Sequence, residues 1–153
     1  MNTQLKILAI LIVLSISLPS FGDSHLAADR DWSQAAQSAR TAHVPILILY
    51  TAQACGYCER LKREVFQPLL AQETDQPPAV IREVDINAGG KMIDFDGEPI
   101  RSRRFTQRYQ IFATPTLLIL DSRGEPLTDP IIGYDSKEQY QSRIEKLLAG
   151  FPI

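Results

Sequence analysis

The sequence predicts an α/β fold in which a mixed central sheet is flanked by helices, with a small insertion near residues 88–104. Two short, continuous apolar runs, Ile46–Tyr50 and Leu117–Leu120, are typical of strands that are buried on both faces. Strand and helix patterns alternate in the first half of the chain, whereas a hairpin pattern and a helix end the second half. The composition, 44% hydrophobic and 22% charged over 153 residues, fits one globular domain.

The first 22 residues differ in composition from the rest of the chain. Met1–Lys6 carries one lysine, and the run Ile7–Leu18 that follows is almost wholly apolar. This run is shorter than the roughly 20 residues that a spanning helix needs, and small residues follow Pro19 where a signal peptidase would cleave. We therefore expect residues 1–22 to be a cleaved signal peptide and residues 23–153 to form the domain. An uncleaved N-terminal anchor is the alternative.

Export would place the domain in a periplasm or an equivalent compartment, where disulfides persist. The chain has 2 cysteines, and its 16 basic residues nearly balance its 18 acidic residues without a long block of either sign. This distribution indicates no nucleic-acid-binding surface. We expect a protein thiol or disulfide, or a small thiol, as the partner.

Helix and strand patterns can be placed along the first half of the domain. Asp31 precedes a helical pattern that continues to about Ala42, and a second helical pattern covers Glu59–Ala71. Pro68 is expected to kink or break this second helix. Val80–Ile86 alternates apolar and charged residues, which predicts a strand.

The second half contains turn signals and a final helix. Residues 88–104 include Asp96-Gly97, which favours a small hairpin or loop insertion. Ser102 is expected to cap the next helix, Leu127–Tyr134 to complete a hairpin, and Ser136 to begin the last helix with a capping box. Four aromatic residues are assigned to the core: Trp32, Tyr50, Phe66 and Phe112.

The two cysteines form the motif Cys55-Gly56-Tyr57-Cys58, between a predicted buried strand and a predicted helix. Free backbone N–H groups and the positive end of the helix dipole favour a thiolate at a helix start. Cys55 is therefore the predicted nucleophile, and Cys58, one turn further along, is the predicted shielded resolving thiol. A Cys55 thiolate would attack a partner disulfide and Cys58 would release the product, while the reverse order would oxidise a substrate.

Two other roles for the cysteine pair have less support. A zinc site needs four ligands, and beyond the pair the chain offers only His25 and His43, neither at ligand spacing. A purely structural disulfide that closes so short a loop would restrain little of the unfolded chain. We expect neither a metal nor another cofactor.

Three segments resemble the thioredoxin superfamily, and in particular its exported members. They are Leu47–Cys58, Thr114-Pro115-Thr116 and Gly133-Tyr134, and the similarity extends over roughly Trp32–Leu148. The resemblance implies a thioredoxin-like fold and a thiol–disulfide oxidoreductase activity.

The same resemblance implies roles for four residues in addition to the cysteines. It implies that Pro115 follows a cis peptide bond and faces the cysteine pair, and that the backbone of Thr114 pairs with a substrate chain. With Gly56 and Tyr57, these residues form the substrate-binding set that the resemblance implies.

The chain also departs from thioredoxin itself. Thioredoxin has a buried acid six residues before its first cysteine, where this chain has Leu49, and a tryptophan just before that cysteine, where this chain has Ala54. Proton transfer from Cys58 would then depend on water or another group. Glu59 and Glu64 are the candidates, but a solvated helix face is the better explanation for both.

The predicted direction of electron flow depends on the size of the domain. Gly56-Tyr57 and Thr114 are similar to those of periplasmic disulfide isomerases, but those proteins carry a separate dimerisation domain that about 130 residues cannot accommodate. The insertion Met92–Arg104 instead resembles single-domain exported reductants. We therefore expect a monomeric periplasmic reductant of protein disulfides that receives electrons from a membrane protein. A dithiol oxidase or isomerase, and a non-catalytic binding module, are the alternatives.

Overall fold

The computed structural model of this chain describes residues 30–72, 74 and 77–151. The predicted signal peptide, residues 1–22, lies outside these ranges, as do residues 23–29 of the predicted domain. Within the described ranges, none of the helices has the length and apolar character needed to cross a membrane.

Strands and helices follow the predicted order. The strands are β1 (Ile46–Thr51), β2 (Val80–Asp85), β3 (Lys91–Ile93), β4 (Pro99–Arg101), β5 (Thr116–Leu120) and β6 (Ile131–Ile132). The helices are α1 (Trp32–Ala42), α2 (Gly56–Leu61), a π-helical turn (Lys62–Phe66), α3 (Gln67–Leu70), α4 (Ser102–Arg108) and α5 (Lys137–Leu148).

The central sheet has the strand order β2-β1-β5-β6. Strand β1 pairs in parallel with β2 and antiparallel with β5, and β5 pairs antiparallel with β6. The predicted mixed sheet flanked by helices is therefore confirmed. The predicted hairpin partner Leu127–Tyr134 is much shorter than expected, since only Ile131–Ile132 forms a strand.

Strand β1 separates two apolar clusters because successive side chains along a strand point to opposite faces. Its first five residues are all 0% exposed. One face packs against the helices that follow the cysteines and against α5, through residues that include Leu47, Leu49, Leu61, Phe66, Tyr140 and Ile144. The other face packs against α1 and α4, through residues that include Trp32, Ile46, Ile48, Tyr50 and Phe105.

A continuous helical run, from Gly56 to Leu70, follows the cysteine motif and passes through Pro68. Just before the position of the predicted kink or break, the structure has the π-helical turn, in which the Gln67 N–H bonds to the Lys62 carbonyl, five residues back. Because proline has no N–H, it cannot complete the α-helical bond to Glu64. The wider turn just before Pro68 carries the helix past this missing bond.

The predicted insertion is a two-stranded hairpin of β3 and β4, which confirms a hairpin in this region. Arg108 of α4 anchors it, since its Nη1 donates to the Asp94 Oδ1 at 2.9 Å. The cap predicted for Ser102 is wrong: the N-cap position is Arg101, and the Ser102 hydroxyl donates to the Gly90 carbonyl at 3.3 Å. This hydroxyl fixes the helix to the hairpin rather than capping its backbone.

Candidate active site

The two cysteines lie at the point where β1 ends and the helical run begins. Their sulfur atoms form a disulfide, with the two Cα atoms 5.2 Å apart. Cys55 is the N-cap of α2, and its Sγ accepts the Cys58 N–H at 3.2 Å. This is the position at which unpaired backbone donors and the helix dipole stabilise negative charge.

Burial distinguishes the two sulfur-bearing residues. Cys58 is 0% exposed, whereas Cys55 is half-buried. A partner disulfide can therefore approach Cys55 from solvent, while Cys58 lies beneath the helix surface. Attack by Cys55 followed by internal attack by Cys58 is the order that this arrangement allows.

The loop before β5 completes the site. The peptide bond between Thr114 and Pro115 is cis, and the Thr114 hydroxyl donates to the Cys55 Sγ at 3.6 Å. The Gly133 N–H donates to the Pro115 carbonyl at 2.8 Å, which ties this loop to the end of β6. Thr114 is thereby brought into contact with the sulfur of Cys55, which lies 59 positions earlier in the chain.

Exposed residues lie in the cysteine motif and in the loop that leads to Pro115. Gly56 is exposed, Tyr57 is 63% exposed, and Phe112, two residues before Thr114, is 81% exposed. The assignment of Phe112 to the core is therefore wrong, because the loop turns this ring outward beside a cleft of about 320 Å³ that Ile132 also lines. Trp32, Tyr50 and Phe66, by contrast, are each 0% exposed.

Neither acid considered for proton transfer is directed to the cysteines by the contacts it makes. Glu59 is exposed, and its carboxylate pairs with Lys62 at 2.8 Å. Glu64 accepts hydrogen bonds from the Tyr134 hydroxyl and, at 3.0 Å, from the Arg60 Nε, and these bonds hold the pKa of Glu64 below its ordinary value. Its carboxylate thus joins the helical run to the segment between β6 and α5.

The sequence reasoning missed a different acid, Glu83 of β2. Glu83 is 8% exposed and lies opposite Leu49 in the parallel register. Its Oε1 accepts the Thr51 hydroxyl at 2.7 Å and the Lys62 ammonium at 3.1 Å. Alternation along β2 predicts which residues share a face, but only the packing of the helical run shows that the face with Glu83 is covered.

The described residues contain no group of three or more His, Cys, Asp or Glu side chains that could hold a metal ion. Of the two histidines considered as ligands, His43 is the C-cap of α1 and His25 lies outside the described residues.

Comparisons with known proteins agree with this geometry. A family model for a thioredoxin-like domain matches residues 32–148. Comparison with curated proteins finds no match. Among solved structures, a thioredoxin-fold protein from Helicobacter pylori is 18% identical, with 70% of each chain covered and a TM-score of 0.56.

Two further solved structures are similar over most of their length. Thioredoxin O2 from Arabidopsis thaliana in its oxidised state is 21% identical, with 82% of this chain and 96% of that chain covered and a TM-score of 0.55. The germline-specific thioredoxin Deadhead from Drosophila melanogaster is 20% identical, with 80% of this chain and 99% of that chain covered and a TM-score of 0.54. At these identities the matches show the fold, and the Cys-x-x-Cys pair on that fold supports thiol–disulfide oxidoreductase chemistry in general.

Proposed function

Because the chain belongs to the thioredoxin-like domain family, we propose that it is an exported thiol–disulfide oxidoreductase that reduces protein disulfides through Cys55 and Cys58. The observation that carries the proposal is the placement of Cys55. Its half-buried sulfur accepts bonds from the Cys58 N–H at 3.2 Å and the Thr114 hydroxyl at 3.6 Å, and both donors favour the thiolate form.

The proposed reaction has two displacement steps. The Cys55 thiolate attacks one sulfur of a client disulfide, so that a mixed disulfide forms and the other client sulfur leaves as a thiolate. Cys58 then loses its proton and attacks the Cys55 sulfur, which releases the second client thiolate. The client disulfide gains two electrons, and the Cys55–Cys58 pair loses two and becomes the disulfide.

The substrate contacts proposed here surround the exposed sulfur. The Thr114 backbone would bond to an extended client segment, with Pro115 setting the direction of the loop. Gly56 leaves the approach to Cys55 open, and the exposed ring of Tyr57 provides apolar contact area on the same side. These assignments rest on the positions of the residues around Cys55 and on the family resemblance.

Export and the electron supply belong to the same proposal. The apolar run in residues 7–18, followed by small residues after Pro19, supports a cleaved signal peptide and a periplasmic domain of residues 23–153. A reductant in an oxidising compartment must be reduced again after each turnover. We expect a membrane protein to supply these electrons, and we expect the domain to act as a monomer.

Insulin reduction tests the activity. The wild-type domain should reduce insulin disulfides in the presence of dithiothreitol, and Cys55→Ser should abolish the reaction because the nucleophile is lost. Equal insulin reduction by the wild type and Cys55→Ser, or none by either, would instead favour a non-catalytic binding module. Cys58→Ser should strand clients on Cys55 as mixed disulfides, which mass spectrometry would identify.

An oxidase or isomerase is a second candidate, because Gly56-Tyr57 and Thr114 resemble the corresponding residues of periplasmic isomerases. The reduction potential of the Cys55–Cys58 pair separates the two directions. A value near about −270 mV would support a reductant, whereas one near about −120 mV would support an oxidant. The potential can be measured by equilibration with glutathione buffers and alkylation of the free thiols.

A further inference from the structure

A buried carboxylate lies under the helix that carries the cysteines. Glu83 is 8% exposed and pairs in register with Leu49 on the neighbouring strand β1. Leu49 packs in the same apolar cluster as Leu61 of α2. Because residues that are paired in a parallel sheet point to the same face, Glu83 lies on the face that α2 covers.

Two donors hold the Glu83 carboxylate. Its Oε1 accepts the Thr51 hydroxyl at 2.7 Å and the Lys62 ammonium at 3.1 Å. Burial lowers the pKa of Lys62, but its bonds to Glu59 and Glu83 raise it further, so that the net shift is upward. Lys62 therefore stays charged beside Glu83.

The cluster of Glu59, Lys62 and Glu83 carries one excess negative charge. Glu59 and Lys62 share one salt bridge of 2.8 Å, and the Glu59 side chain is 66% exposed, whereas the Glu83 side chain is 10% exposed. Burying a carboxylate costs free energy that an apolar residue at the same position would avoid. A role in the chemistry of the neighbouring helix would explain why an acid occupies this buried position.

Cys58 is the group on that helix whose chemistry needs a proton acceptor. It is 0% exposed and lies one helical turn before Lys62, on the same side of the helix. A thiol buried in apolar surroundings is a poor source of thiolate, yet Cys58 must become a thiolate to attack Cys55. A residue that is fully buried loses its proton to bulk solvent only slowly, so a nearby acceptor would speed the step.

We propose that Glu83 accepts the proton of the Cys58 thiol, through one water molecule, when the mixed disulfide is resolved. Thr51 and Lys62 are the residues that position its carboxylate. This inference rests on the proposed function and identifies the proton acceptor for its second step.

The Cys58 S–H bond breaks and its proton passes to Glu83, which becomes a neutral carboxylic acid. The Cys58 thiolate then forms a bond to the Cys55 sulfur, the bond from Cys55 to the client sulfur breaks, and the client leaves as a thiolate. Glu83 returns its proton to solvent before the next turnover.

The other ionisable groups on this face have different partners. Asp85, two residues after Glu83, accepts the Asn87 N–H at 2.8 Å. Strand β1 contributes Leu47, Leu49 and Thr51 to the face, and none of them titrates. Tyr140 of α5 packs in the same apolar cluster, and burial raises its pKa, so it stays protonated.

The test compares Glu83→Gln with Glu59→Gln, which removes the exposed acid that also pairs with Lys62. The reduced protein is mixed with a disulfide-containing peptide, quenched with acid, and the mixed disulfide is followed by mass spectrometry between pH 5 and pH 9. Glu83→Gln should slow resolution by about 100-fold at pH 7. The loss should shrink as the pH rises, because hydroxide replaces the missing acceptor. Formation of the mixed disulfide should stay unchanged, and Glu59→Gln should change neither rate.

A second readout separates a proton acceptor from a simple neighbouring charge. In a Cys55→Ser background, the pKa of the Cys58 thiol is measured from the thiolate absorbance at 240 nm. Glu83→Gln should lower this pKa, because a negative neighbour is lost. If Glu83 acted through its charge alone, the variant would resolve the mixed disulfide faster than the wild type at pH 7. Resolution at the wild-type rate or faster would overturn the proposal.

If Glu83→Gln shows no cooperative unfolding, and so is not properly folded, Thr51→Val provides the test instead. This variant preserves the shape of the side chain and removes the 2.7 Å donor to Glu83. We expect slower resolution with the same recovery at high pH, and an unchanged pH profile would overturn the proposal. A wild-type protein that forms no mixed disulfide on Cys55 would overturn the proposed function as well, whereas normal formation with unaffected resolution would overturn this inference alone.

Discussion

The Thr114 hydroxyl donates to the Cys55 sulfur at 3.6 Å, from the loop that leads into β5, the strand that pairs with β1. In the reduced protein this donor would stabilise the thiolate that begins the reaction. The contact therefore connects the geometry of the Pro115 loop with the reactivity of Cys55.

Thr114→Val should raise the pKa of the Cys55 thiol, because the variant removes a hydrogen bond to the charged form. A long bond to sulfur is weaker than the roughly 1.5–3 kcal/mol of an ordinary bond to a charged group, so we expect a rise of about one pKa unit or less. The rate of alkylation by iodoacetamide as a function of pH measures the shift. Thr128→Val, which removes a hydroxyl that bonds to Asp129, is the control. An unchanged alkylation profile for Thr114→Val would contradict the prediction.

Phe112→Ser should weaken the reduction of protein disulfides while leaving small disulfides unaffected. The ring is 81% exposed beside the site, so a client would bury it on binding. Loss of such an aromatic contact costs about 1–2 kcal/mol, which is a fall of roughly 5- to 30-fold in kcat/KM for insulin.

The control for this variant is Leu127→Ser, because Leu127 is also partly exposed but lines a different cleft with Arg40 and His43. The small disulfide is 5,5′-dithiobis(2-nitrobenzoate). Equal losses for Phe112→Ser with insulin and with this small disulfide would show that Phe112 supports the fold or Cys55 rather than client contact.

Asp94→Asn should destabilise the protein near neutral pH, and this destabilisation should disappear in acid. Burial raises the pKa of Asp94, but the bonds from Arg108 and the Phe95 N–H lower it further, so the net shift is downward. A carboxyl with a depressed pKa in the folded state stabilises the protein above its unfolded pKa, and this stabilisation is lost as the pH falls through the folded value.

For a carboxyl with an unfolded pKa of about 3.9, the loss begins near pH 4 and continues below it. We expect a cost of about 1–2 kcal/mol at pH 7, since Asp94 is buried but the Arg108 side chain is 42% exposed. Urea unfolding at pH 7 and pH 3 measures the difference, with Asp96→Asn as the exposed control. The same cost at both pH values would exclude a charged Asp94 as its source.

Gly124→Ala should be markedly more destabilising than Gly97→Ala. Both glycines have positive φ, 86° and 89°, so an added side chain strains the backbone at either position. A Cβ at Gly124 would also lie 2.4 Å from the Phe95 Cδ2, whereas one at Gly97 would meet nothing within 4 Å.

We expect about 1–2 kcal/mol for Gly97→Ala and about 1–3 kcal/mol more for Gly124→Ala, because the ring must shift in a packed core. Denaturant unfolding measures both variants. Equal costs would mean that Phe95 moves aside freely and that backbone strain is the whole effect.

The boundaries of several elements follow from local sequence patterns, whereas the burial of individual side chains depends on tertiary packing. The α1 helix ends at Ala42 as its pattern predicts, and β1 extends only one residue beyond the predicted run Ile46–Tyr50. The cysteine motif was recognisable because its residues are adjacent in the chain. Patterns of this kind depend on near neighbours, which the sequence displays directly.

Phe112 and Glu83 were misjudged or missed because their surroundings are set by distant segments. An aromatic residue between Ile111 and Ala113 has the composition of a core segment, but the loop that leads to Pro115 turns it outward. The charged residues of β2 predict a half-exposed strand, but the helical run covers the side that carries Glu83. Side-chain burial at both positions is a property of the tertiary packing.

The π-helical turn at Lys62–Phe66 also sets the rotational phase of the segment after the cysteines. One extra residue in a turn rotates everything that follows by about 100° relative to a regular α-helix. Leu69 and Leu70 pack against the same apolar cluster as Leu61. The extra residue therefore turns the apolar side chains at the end of the run back towards the face that Leu61 occupies, so deleting one residue from the turn would rotate Leu69 and Leu70 away from that cluster.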